Sequence, residues 1–82
     1  MYQVIWDDDV YSEAASVWVD ASDRMAVLDA IHEIDQVLAR DPESAGTELS
    51  EGLFWVDCTP IRAIFSIDNS AKRVKVHRTR QL

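Results

Sequence analysis

The stretch "LFWVDCTPIRAIFSIDNSAKRVKVHRTR", residues 53–80, decides the fold. It divides into three apolar runs separated by two turn signals. Leu53–Val56 is a short apolar run that suits a buried strand or the middle of a longer one. Asp57–Pro60 reads as a turn. Ile61, Ala63, Phe65 and Ile67 then alternate with Arg62, Ile64 and Ser66, which is the period of two of a strand. Asp68–Lys72 reads as a hairpin loop. Arg73–Arg80 sets Val74 and Val76 between Arg73, Lys75 and His77, so it reads as a half-exposed strand. Three consecutive strands joined by tight turns predict an antiparallel meander.

Upstream, "PESAGTELSEG", residues 42–52, is polar and reads as a loop with turn points at Gly46 and Gly52. Before it lies the strongest periodic signal in the chain. Val27, Ala30, Ile31, Ile34, Val37 and Leu38 fall on one helical face, with Asp29, Glu33, Gln36 and Arg40 off it. Asp41-Pro42 ends that helix, because a residue before proline is pushed out of the α region. Ser22-Asp23 separates it from an earlier helix whose stripe is Tyr11, Ala14, Ala15, Trp18 and Ala21. Asp7-Asp8-Asp9 supplies an N-cap and acids suited to the positive end of a helix dipole. Two helices this close in sequence should form an antiparallel hairpin. Tyr2–Trp6, "YQVIW", is β-branched and aromatic, as strands are. The expected order is therefore β-α-α-β-β-β. This is an α+β domain over residues 1–82, with a helical hairpin on one face of a small antiparallel sheet and the other face open.

Composition sets the outer bounds. Eighty-two residues bury only about 60–65% of their unfolded surface, so one small core is expected. At 48% hydrophobic and 28% charged, the chain is globular in composition. The lone Cys58 allows no intrachain disulfide and fits a reducing, cytoplasmic setting. The start has no basic segment followed by a long apolar run, so no secretory signal is expected. No apolar stretch reaches the roughly 18 residues of a membrane span, so no membrane partner is expected. The net charge of −7 argues against nonspecific nucleic-acid binding by the whole surface. Charge is nevertheless uneven. Residues 1–57 carry 14 acids and 2 bases, whereas residues 58–82 carry 1 acid and 6 bases. Either the basic end faces an anion or an acidic partner, or the two segments neutralise each other in the fold.

Arg62 is the first candidate site residue. Strand alternation places it opposite Ile61, Ala63, Phe65 and Ile67. It is either a solvated strand arginine or a clamp for phosphate or carboxylate, whose planar oxygens match its fork of donors. Pairing of the last two strands would bring part of the basic run to the same face. Arg62, His77 and Arg78 or Arg80 would then suit a phosphodiester, with arginines stabilising charge and His77 moving a proton. The alternative is a charged strand that resists edge-to-edge association. His32 reads as a helix-surface residue, and Trp6, Trp18, Phe54 and Trp55 as core anchors. No ligand pattern supports a metal at Asp7-Asp8-Asp9, and Cys58 has no activating base near it in sequence. No cofactor is expected.

Several motifs, in this order and spacing, resemble the RelE/ParE toxin superfamily of type II toxin–antitoxin systems, the plasmid-stabilisation type. They are "YQVIW", then "DRMAVLDAIHEIDQVLARDPESAG" with Ile34-Asp35, Leu38 and Asp41-Pro42, then "GLFWVDCTPIRAIFSID", then "RVKVHRTR". The resemblance covers essentially the whole chain. It implies a strand, a helical hairpin and an antiparallel sheet, with a cognate antitoxin that wraps the toxin. Arg62 matches the arginine that RelE-type ribonucleases place at the head of this strand, where it contacts mRNA phosphate in the ribosome. RNA cleavage of that kind proceeds by attack of the ribose 2′-OH, with no metal.

The chain departs from the RelE pattern in three ways. Leu53–Val56 has no basic residue where the family often carries lysines. The sequence stops at Gln81-Leu82, where a further arginine would come, and only His77, Arg78 and Arg80 stand nearby. The chain is acidic where the family is usually basic. ParE-type members poison DNA gyrase and need no nuclease residues. Two expectations therefore stand: a ribosome-dependent endoribonuclease toxin, or a non-catalytic protein-binding module on the toxin fold, either a gyrase-poisoning ParE type or a decayed toxin.

Overall fold

The computed structural model describes residues 1–82. The elements in order are β1 (Gln3–Trp6), α1 (Asp8–Asp20), α2 (Arg24–Arg40), α3 (Pro42–Ala45), β2 (Thr47–Ser50), β3 (Leu53–Cys58), β4 (Ile61–Asp68) and β5 (Arg73–Gln81). The expected plan holds, with two additions inside the segment read as a loop. Pro42–Ala45 makes one helical turn, started by a Ser44 N–H bond to the Asp41 carboxylate. Thr47–Ser50 forms an edge strand whose four side chains are all exposed. That exposure is why it shows no apolar alternation.

The five strands lie in the order β1-β5-β4-β3-β2. Pairing is antiparallel from β2 through β5, but β1 runs parallel to β5. The sheet is therefore mixed at one edge rather than wholly antiparallel. The β3–β4 turn is only Thr59-Pro60, so the turn expected over Asp57–Pro60 is shorter and the strand through Leu53–Val56 continues through Asp57 and Cys58. Asp57 thereby becomes a strand residue directly opposite Arg62.

One sheet face and two helices enclose the core. Ile61, Ala63 and Phe65 from β4, Val74 and Val76 from β5, and Val56 from β3 meet Val27, Ala30, Ile34 and Leu38 from α2. These four α2 residues are buried along the predicted stripe, so the 3.6-residue period is a direct record of burial. Asp23 caps α2 by accepting the Ala26 N–H. The stripe on α1 is rotated from its expected place. Val10 and Ala14 are buried, whereas Tyr11 is 55% exposed and Ala15 is exposed. Val10, Ala14 and Val17 form the inward face, and two ion pairs lie beside it. Asp7 meets Lys75 at 3.4 Å and Glu13 meets Arg78 at 3.5 Å, so the polar side of α1 is tied to β5. Asp7 occupies the N-cap position without a side-chain cap bond.

Gly46 sits where backbone must approach a ring. A methyl group there would lie 2.5 Å from Phe65 Cζ and 3.1 Å from Phe54 Cβ. Phe65 is fully buried and stacks on Phe54 at 5.8 Å, so its ring has nowhere to move. Gly46→Ala is expected to cost about 1–3 kcal/mol by overpacking. Urea unfolding should show a lower midpoint at unchanged slope.

Candidate functional site on the open sheet face

The register places the candidate residues. Along β4, Arg62, Ile64 and Ser66 alternate with the core residues and face away from the helices. Opposite them on β5 stand Arg80, Arg78 and Lys75. This arrangement depends on an irregularity that sequence alternation does not show. Val74 and Val76 are buried, and strict alternation would turn Arg78 and Arg80 inward too. The β4–β5 register shifts between Ile64 and Phe65, leaving His77 as the extra residue of a bulge. Beyond it Thr79 enters the core, and Arg78 and Arg80 return to the open face.

Arg62 is not a free cation. Its Nε donates to Asp57 Oδ1 at 2.7 Å and a terminal nitrogen donates to Oδ2 at 3.0 Å. The guanidinium also lies over the Trp55 ring, 4.4 Å from its centre. The bidentate bond and the opposed charge hold the Asp57 carboxyl below its ordinary value and push Arg62 above its own. Trp55, expected in the core, is instead a platform on the open face. Phe54, the next residue, takes the inward position and stacks on Phe65.

The four predicted site residues share one face but not one contact. Arg80 stands directly across from Arg62 and enters no ion pair. Arg78 is held by Glu13. His77 Nε2 is 2.8 Å from Ser66 Oγ, and which of the two donates depends on the imidazole tautomer. Ser66 lies four residues along β4 from Arg62, roughly 13 Å at about 3.3 Å per residue. His77 is thus two register steps away from the arginine pair. All three ion pairs in the protein join the acidic first 57 residues to the basic remainder, so part of the charge asymmetry is neutralised internally.

Cys58 is half-buried, and burial with the Glu33 and Asp57 carboxylates nearby pushes its thiol up, the opposite of an activated nucleophile. His32 is on the helix surface, as expected, within 3.1 Å of Gln36.

Sequence reading missed Asp57, Trp55 and Ser66. Counting outward from a two-residue turn at Thr59-Pro60 sets Asp57 against Arg62. Placing the turn at Asp57 concealed that pair. Nothing in the sequence marks the bulge that aligns Ser66 with His77.

A second feature lies between the two long helices. Tyr11, Ala14, Ala15, Trp18, Leu28 and Ile31 line an apolar cleft of about 290 Å³ between α1 and α2. It adjoins a cleft of about 230 Å³ that adds Trp6, His32 and Asp35. Asp35 accepts the Trp6 indole N–H at 2.9 Å, whereas the buried Trp18 indole N–H has no partner. Leu28 is 46% exposed beside it.

Solved structures share this fold over nearly the full chain. The toxin–antitoxin complex RelBE2 from Mycobacterium tuberculosis superposes with a TM-score of 0.80 at 20% identity, covering 99% of this chain and 98% of that one. The archaeal RelE–RelB complex from Pyrococcus horikoshii OT3 gives 0.71 at 17% identity, covering 98% and 93%. The isolated E. coli RelE toxin gives 0.67 at 12% identity, covering 99% and 84%. The chain has the RelE toxin fold. No family model and no curated protein matches its sequence. The likeness is thus one of RelE-type architecture, with most side chains replaced. No helix of this RelE-like fold is long and apolar enough to cross a membrane.

Proposed function

We propose that this chain is the toxin component of a type II toxin–antitoxin pair, held inactive by a cognate antitoxin. The carrying observation is the likeness to RelBE2, which spans both chains almost end to end. The antitoxin is read as an amphipathic segment. Its apolar side chains fill the cleft lined by Trp18, Leu28 and Ile31, as helices fill grooves. Its basic side chains meet Asp35 and the other acids of the first 57 residues.

The proposed target is mRNA on the ribosome, met by the open face of β4 and β5. Arg62 and Arg80 neutralise a phosphate there. The ribose 2′-OH attacks the adjacent phosphorus, the P–O5′ bond breaks, and a 2′,3′-cyclic phosphate forms. His77 is the proposed proton carrier: it takes the 2′-OH proton while water protonates the departing O5′, or it protonates O5′ while water takes the 2′-OH proton. RNA must bridge the two register steps between His77 and the arginine pair.

One observation favours a second reading. Asp57 occupies Arg62 and Glu13 occupies Arg78, which leaves Arg80 as the unpaired arginine of the set. A non-catalytic module, acting by protein contact as gyrase poisons do or serving only as a binding subunit, fits that pairing.

Induction of the chain alone in a bacterial host separates the readings. Growth arrest with mRNA cut on ribosomes is expected. Arg62→Ala should slow cleavage by about 100-fold, the scale of losing one donor to developing charge. Arrest with intact mRNA and damaged DNA would move the target to gyrase. Normal growth at every expression level would leave the binding module.

A further inference from the structure

We propose that Asp57 occupies the oxyanion fork of Arg62 as a built-in competitor, so that the Arg62–Arg80 pair accepts an external phosphate only when that phosphate displaces it. The proposal rests on the reading of this face as one that meets RNA, and it adds the residue that regulates access.

The geometry supports it on three counts. The Asp57 carboxylate makes both bonds that a phosphate would make, one to Nε and one to a terminal nitrogen of Arg62. Trp55 lies under the guanidinium at 4.4 Å, so the fork keeps its orientation when the carboxylate leaves. Arg80 is directly opposite Arg62 on the neighbouring strand, where like charges repel. Asp57 relieves that repulsion in the free protein, and a phosphate bridging both arginines would relieve it better.

The contact is also weak enough to yield. The two side chains are 36% and 30% exposed, and ion pairs open to solvent contribute little net stability. Protonation does not open it near neutral pH. The Asp57 pKa is depressed, so the bond persists above the ordinary carboxylate range and is lost only as pH falls through the lowered value. Near neutral pH the carboxylate therefore yields to a competing oxyanion rather than to a proton.

Fluorescence anisotropy with a labelled single-stranded RNA tests the proposal at low salt. Asp57→Asn is expected to bind about five-fold more tightly, the scale set by the loss of one exposed competing ion pair. The gain should vanish in Asp57→Asn/Arg62→Ala. Asp29→Asn, an exposed acid of α2 outside any ion pair, controls for net charge and should bind as the parent does. A parallel titration with inorganic pyrophosphate follows the Arg62 Nε–H resonance, which should move at lower ligand concentration in Asp57→Asn. Should Asp57→Asn lose its fold by circular dichroism, Asp57→Ser carries the same comparison. Equal affinity with and without Asp57 overturns the proposal. So does a gain that survives loss of Arg62 or is matched by Asp29→Asn. Absence of RNA binding in every variant, with the pyrophosphate response intact, would sink the RNA reading and leave the competitor role standing.

Discussion

Phe65→Ala is expected to lower the unfolding free energy by about 3–5 kcal/mol. Phe65 is fully buried and is the largest side chain of the core. It stacks on Phe54, lies under the Gly46 backbone, and sits at the register shift between β4 and β5. Removal of the ring opens a cavity beneath three elements at once. A domain of this length has roughly 4–12 kcal/mol of stability, at about 0.05–0.15 kcal/mol per residue. The substitution thus removes about a quarter or more of the total. Ile64→Ala is the matched control, because Ile64 lies one residue away on the open face and is only half-buried. Its cost should stay near 1 kcal/mol, below that of a closed core site. Urea unfolding of the two variants reads the difference directly. Equal costs would show that the helices do not close over the Phe65 face.

The same strand shows what the order of residues reveals by itself. Ile61, Ala63 and Phe65 alternate because one side of β4 is sealed by α2, and alternation records sealing. Val27, Ala30, Ile34 and Leu38 record the other half of that contact. Features fixed by distant partners leave no such record. β1 pairs with β5 in parallel although the paired residues are far apart in sequence. The inward face of α1 is Val10, Ala14 and Val17, and its contacts with β5, including Asp7–Lys75 and Glu13–Arg78, join residues far apart in sequence. β2 is exposed on every side chain, so no periodicity marks it. Leu53–Val56 is apolar on both faces, which hid that Phe54 faces the core while Trp55 faces Arg62. The site was therefore legible in its cations and illegible in its pairing. Arg62, His77, Arg78 and Arg80 do share a face, but the bulge at His77 that puts them there and the carboxylate that holds Arg62 depend on register.

Leu28→Arg is expected to weaken antitoxin binding by about 30-fold, the factor for a loss of about 2 kcal/mol at a central interface residue. Leu28 is 46% exposed, so the proposed interface depends on it and the core does not. Arginine is a good helix former, so α2 should keep its stability. The size of the effect has two sources. The apolar anchor is lost from the cleft shared with Trp18 and Ile31, and a cation is placed against a partner segment read as basic. Leu28→Glu separates these sources, because it loses the same apolar contact but presents the opposite charge. Titration calorimetry with the protein of the adjoining reading frame should rank the parent above Leu28→Glu and Leu28→Glu above Leu28→Arg. Reversal of the two variants would mean an acidic partner segment, and the rim residue Asp35 would then be a site of repulsion. Equal affinity for all three would place the partner on another surface. The open sheet face is the next candidate, where the partner would compete directly with RNA at Arg62 and Arg80.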